Sequence, residues 1–81
     1  MMSAEERSPT APYEEKAKNI LKAELKRRGI TYAQLAEKLR KVGAKENERN
    51  IANKISRGSF TAAFFMMCME VIGADHLTLR A

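Results

Sequence analysis

Tryptophan is absent, and cysteine and histidine occur once each, as Cys68 and His76. A lone cysteine rules out an intrachain disulfide. With one Cys and one His there is no metal-ligand spacing and no nucleophile–base pair, and no paired carboxylates stand out. The four glycines are scattered as stops between apolar stretches rather than gathered into a phosphate loop. The sequence therefore points away from an enzyme and requires no metal or cofactor. The longest apolar run, Ala62 to Met69, falls well short of the about 20 residues of a spanning helix. It also lacks the basic face of a helix that lies on a membrane surface. No secretory leader pattern is present, so a reducing cytosolic setting and no membrane partner are expected.

What the chain has is positive charge, unevenly placed. The net charge is +5 over 81 residues. Between Lys16 and Arg57 there are thirteen Lys or Arg against four Glu, and the flanking segments are neutral or acidic by comparison. A basic block of this kind fits a phosphate-binding surface or a set of solvated helix faces.

The apolar pattern is helical throughout, and one domain is the ceiling at this length. Residues 1–12 read as a flexible tail, with 13–81 as the folded domain. The first helix is expected from Tyr13, burying Ala17, Ile20, Leu21 and Leu25, with Glu24 a polar exception on that face. Gly29 should stop it and Ile30 should fold back. Thr31 and Gln34 form a capping-box pattern for a second helix, whose buried face is Leu35, Ala36, Leu39 and Val42, with Gly43 as its end. Lys38, Arg40 and Lys41 should face outward.

A third helix follows, either capped by Asn47 or opening with an irregular turn over Lys45–Asn47. It buries Ile51 and Ile55 and turns Arg49, Asn53 and Arg57 outward. Glu46 and Asn50 flank that outward face, and Glu48 falls near the buried edge. Gly58 ends it. Phe60 is a candidate staple and Thr61 a candidate cap for a fourth helix that is apolar all round. Such a helix is either a central core element or is covered by a second copy through part of Phe64, Phe65, Met66, Met67 and Met69. The last residues, with Leu77 and Leu79 alternating, fit a short strand across a dimer or one helical turn. Together this is an all-α domain of four or five helices, with a helix-turn-helix between Thr31 and Gly58.

The T-Y-A-Q-L-A-E-K-L of Thr31–Leu39, the I-A-N-K-I of Ile51–Ile55 and the R-G of Arg57–Gly58 carry a resemblance to the lambda-repressor-like helix-turn-helix family of bacterial and phage regulators. The chain also resembles small bacterial proteins of a family with no assigned function. The connection between the two motif helices is longer here than in most members of the repressor family, and Tyr32 stands where Gln is common.

The resemblance implies double-stranded DNA as partner and a homodimeric transcriptional regulator. It implies base contacts from Glu48, Arg49, Asn50 and Asn53, and backbone contacts from Tyr32, Arg57 and Ser59; Lys45 and Lys54 are further phosphate candidates. The other class to weigh is a protein-interaction or antitoxin-like module that docks a partner through the Met- and Phe-rich helix of residues 61–72. RNA is less expected, since no aromatic-rich platform is available for stacking bases.

Overall fold

A computed structural model describes residues 9–77 and 79. Among them the fold is all-helical: α1 Ala11–Arg28, α2 Tyr32–Lys41, α3 Glu48–Arg57 and α4 Ala62–Val71. The first eight residues of the expected tail, with Thr78, Arg80 and Ala81, lie outside the described residues. α1 and α2 each pack on both α3 and α4. The core between them is built from Leu21, Leu25, Leu35, Leu39, Ile51, Ile55, Phe64 and Cys68, closed by Met69, Ile72 and Ala74.

α1 begins at Ala11, two residues before the expected start at Tyr13, and takes Pro12 into its first turn. Proline is tolerated there because the N–H it lacks would have no helical partner. At the other end, Ile30 N–H donates to the Leu25 carbonyl at 2.9 Å, and Ile30 packs on the core as expected.

Glu24 is buried among the apolar residues of α1. Its carboxylate contacts the Arg28 guanidinium, and its other oxygen lies 3.4 Å from Arg27. Arg28 Nε also donates to the Ile72 carbonyl at 3.0 Å. One cation therefore neutralises the buried acid and answers the exposed carbonyls at the end of α4, where a helix terminus favours positive charge.

The Thr31–Gln34 capping box forms in both directions. The far end of α2 departs from expectation. The helix stops at Lys41, and Val42 is 61% exposed rather than part of the buried face. Gly43, at φ 95°, reverses the chain, and Ala44 N–H donates to the Leu39 carbonyl at 3.0 Å. This arrangement places Ala44, not Val42, against the core.

α4 is capped by Thr61 Oγ1, which accepts from Phe64 N–H at 3.0 Å. Phe60 and Phe65 stack with centroids 6.0 Å apart, the staple expected across this cap. α4 is not enclosed. Phe64, Cys68 and Met69 are buried, whereas Met66 is 68% exposed. Beyond it, residues 74–77 form no helical turn within the chain.

Candidate functional site

α3 starts on Asn47, whose Oδ1 accepts from Asn50 N–H at 2.8 Å. This decides between the two openings that the sequence left for this helix: Asn47 is the cap. Ile51 and Ile55 are fully buried and fix the helix to the core. With that side inward, Arg49, Asn50, Asn53 and Arg57 are all exposed. Arg49, Asn53 and Arg57 recur at four-residue spacing and so share one face. Glu48, placed near the buried edge by its spacing, is exposed, and it sits in the first turn where the helix dipole favours an acid. Asn47, Glu48, Arg49 and Ala52 line one shallow depression on this side.

The remaining candidates separate into groups. Lys54, Arg57 and Ser59 line a cleft of about 200 Å³ with Phe60, Thr61 and Phe64, between the end of α3 and the start of α4. Lys45 is exposed in the connection before α3. Tyr32 is half-buried at the start of α2, and its depression is shared with Lys22, Lys26 and Ile30 of the α1 side, not with the α3 residues.

The connection before α3 holds a departure from the expected orientation. Glu46 was expected at the outward face of α3; its side chain instead turns in and is 10% exposed. Its Oε2 accepts from Lys54 Nζ at 2.5 Å. That ammonium also lies 4.7 Å from the centre of the Phe64 ring, a cation–π contact. Lys54 is therefore engaged within the chain, unlike Arg49. Arg40 is exposed as expected, and from there it donates from Nη1 to the Glu46 carbonyl at 3.0 Å. No local spacing announces this cluster, because Glu46 and Lys54 are eight positions apart and one of them precedes the helix.

Of the five residues named for a contact between copies, Phe64 and Met69 belong to the chain's own core. Phe65 is half-buried, and Met66 and Met67 are exposed. Phe65, Met66 and Met69 line an open groove of about 520 Å³ with Ala74 and Leu77, and Glu70 and Asp75 stand along it. Cys68, beneath the other side of α4, has its thiol pushed up to about 12, mainly by burial and further by Glu46, with Lys54 opposing.

No helix among the described residues is long and apolar enough to cross a membrane. No group of three or more His, Cys, Asp or Glu that could hold a metal ion occurs among them.

Neither the curated proteins nor the solved structures contain a match to the chain. Residues 13–77 do match a family profile, which runs from the first turn of α1 through all four helices to Leu77, and the chain accordingly belongs to the family described as a domain of unknown function, DUF6471.

Proposed function

We propose that this is a sequence-specific DNA-binding protein, a small dimeric bacterial or phage transcriptional regulator working in the cytoplasm. In this reading α2 and α3 form a lambda-repressor-like helix-turn-helix, and α3 enters the major groove. The observation that carries it is the division of α3: Ile51 and Ile55 are fully buried while Arg49, Asn50 and Asn53 stand exposed on the other side. Arg can bind guanine through two hydrogen bonds, Asn can bind adenine in the same way, and Glu can accept from the cytosine amino group. Glu48 takes that last role. In this reading Lys45, Arg57 and Ser59, all exposed, hold phosphates beside the groove, and Tyr32 adds a hydroxyl at a helix N-terminus. Lys54 joins them only by leaving Glu46.

The inward turn of Glu46 favours this reading. An acid beside the α3 face would repel phosphate, and here its charge is matched by Lys54. Dimerisation through Phe65, Met66 and Met67 would present two reading helices to grooves roughly 34 Å apart.

The test is selection from a pool of random duplexes, followed by the salt dependence of binding to the selected sequence. Enrichment of two related half-sites about one helical turn apart is the expected result. Arg49→Ala should then cost about 1–3 kcal/mol of discrimination at one base position and leave the fold intact. Absence of binding to any duplex at low salt would remove the proposal.

One observation favours a second reading. The groove along Phe65, Met66, Met69 and Leu77 is apolar and open, and exposed methionines suit adaptable protein contacts. On this reading the chain is an interaction or antitoxin-like accessory module, and it would form a stable heteromeric complex while ignoring DNA.

A further inference from the structure

Glu46 stands one residue ahead of the α3 cap, where an acid would ordinarily point to water. It is instead held from two helices. Arg40 of α2 donates to its carbonyl at 3.0 Å. Lys54 of α3 donates to Oε2 at 2.5 Å while lying over the Phe64 ring of α4. The carboxylate acts on the Cys68 thiol of α4 as well. Its second oxygen, Oε1, is buried with no hydrogen-bond partner among the described residues. A buried carboxylate oxygen left unpaired is destabilising, and such a group in a folded protein needs a reason.

We propose that Glu46 is a positioning residue for α3: its carboxylate clasps Lys54 over α4 and holds the connection of residues 42–47 down, setting the direction in which Arg49, Asn50 and Asn53 point. This rests on the DNA-reading role proposed for α3. The connection is the part of the motif with the weakest apolar anchoring. Val42 is exposed, and Ala44 is the one apolar side chain of the segment that packs on the core. Without the clasp, the start of α3 would be held by Ala44, the Arg40 bond to the Glu46 carbonyl and the Asn47 cap, with no side-chain tie from the connection to the α3–α4 side. The clasp has a second effect. It couples one acid to one base, so this pair adds no net charge to the surface, and Lys54 is withheld from indiscriminate phosphate binding.

Charge and position make opposite predictions for Glu46→Gln. If Glu46 acts only as a negative charge near DNA, its removal strengthens binding to every duplex. If it positions α3, removal weakens the selected sequence while indiscriminate binding holds or rises. The experiment compares the full chain, Glu46→Gln and Lys54→Met on two probes: the duplex selected by the unaltered chain, and a scrambled duplex of equal length. Amide hydrogen exchange over Asn47–Asn53 is followed in parallel.

For Glu46→Gln we expect about tenfold weaker binding to the selected duplex, a cost comparable to a mismatched base pair. Affinity for the scrambled duplex should hold or rise, with a salt slope steeper by about 0.9 as Lys54 is released. Lys54→Met retains an apolar stem over Phe64 and should lower the same ratio of affinities without steepening the slope. In both variants the α3 amides should exchange about tenfold faster or more. An unchanged affinity ratio for Glu46→Gln overturns the proposal. If the unaltered chain binds no duplex, the DNA reading fails separately. The clasp is then decided by exchange alone: faster exchange in both variants supports it, and unchanged rates overturn it.

Discussion

α3 and α4 are both ten residues long, both are capped by a side chain, and they solve the problem of a half-exposed helix in opposite ways. α3 buries Ile51 and Ile55 and gives water Arg49, Asn50, Asn53 and Arg57. α4 buries Phe64, Cys68 and Met69 and gives water Met66 and Met67. Polar side chains lose nothing by remaining solvated, so the α3 surface can wait for a ligand without destabilising the fold. Exposed methionine forgoes burial worth about 25 cal/mol per Å² of apolar surface, so the α4 surface gains by being covered. Charge divides along the same line. Lys and Arg run as far as Arg57, and neither occurs from Gly58 to Leu77, where Glu70 and Asp75 are the acids. One surface is suited to a polyanion and the other to an apolar partner.

The largest effect that can break this comparison is expected inside α3. Ile55→Ala empties a fully buried site and should cost about 3 kcal/mol in urea unfolding. Met66→Ala, at a site 68% exposed, should change stability by less than about 0.5 kcal/mol. Equal losses at the two positions would mean that α4 is packed as tightly as α3 and that its outer surface needs no partner.

The joint between the two helices should be nearly as sensitive. Gly58 has φ 72°, and a Cβ there would stand 2.7 Å from the Glu14 carbonyl oxygen of α1. Both the left-handed backbone and the close approach exclude a side chain, so Gly58→Ala should cost about 2 kcal/mol or more. The same change at Gly43, where a Cβ would meet open space, should cost about 1 kcal/mol, from backbone conformation alone. Thermal unfolding of the two variants side by side separates contact from conformation.

The parts of this architecture that could be read from the sequence are those governed by neighbours in the chain. Thr31 with Gln34, Phe60 with Phe65, and the burial of Ile51 and Ile55 follow from spacings of three to five residues. The errors arise where a reversal of the chain or a residue of another element decides. Val42 keeps the apolar rhythm of α2, yet the reversal at Gly43 substitutes Ala44 for it. Glu46 continues the polar surface of α3 by position, yet Lys54 draws its carboxylate inward while Arg40 holds its carbonyl. Glu24 breaks the apolar face of α1; its partners Arg27 and Arg28 lie at helical spacing, but the Ile72 carbonyl that fixes Arg28 comes from the end of α4, 44 positions away. Among the candidate site residues, the α3 group was legible because helical period alone brings Arg49, Asn53 and Arg57 together. Tyr32 lies in a different depression because the α2 start faces the α1 side.

A smaller effect at neutral pH concerns the junction of the two surfaces. Cys68 lies beneath α4 with its thiol raised from 9.0 to about 12, chiefly by burial and next by Glu46. The folded chain therefore keeps this proton over a range in which the unfolded chain releases it. The stabilisation is fully present below pH 9.0 and is lost progressively as pH rises from there toward 12. Unfolding midpoints measured from pH 8 to about 10.5 should fall more steeply in the unaltered chain than in Cys68→Ala, which lacks this proton. Alkylation at pH 8 should be on the order of a hundredfold slower in the native chain than in urea. Equal alkylation rates would mean that α4 opens readily, and the contrast with a firmly seated α3 would then sharpen.

The smallest change in stability should accompany the most direct test of what covers α4. Met66→Glu places a charge on a side chain that is already 68% exposed, so the isolated chain should unfold within about 0.5 kcal/mol of the unaltered one. In a two-fold dimer built on this surface the same residue meets its surroundings twice, and any loss at the interface is doubled. A buried charge without a partner there is strongly destabilising. On the proposed dimer, the unaltered chain should sediment as a dimer and Met66→Glu as a monomer of equal stability. DNA binding by that monomer should weaken far more for a paired half-site than for a single one, because the two reading helices would no longer be joined. If the unaltered chain is itself monomeric, the apolar groove is free in solution. The division between the two surfaces then becomes one between the helix proposed to read DNA and a docking site for a different protein.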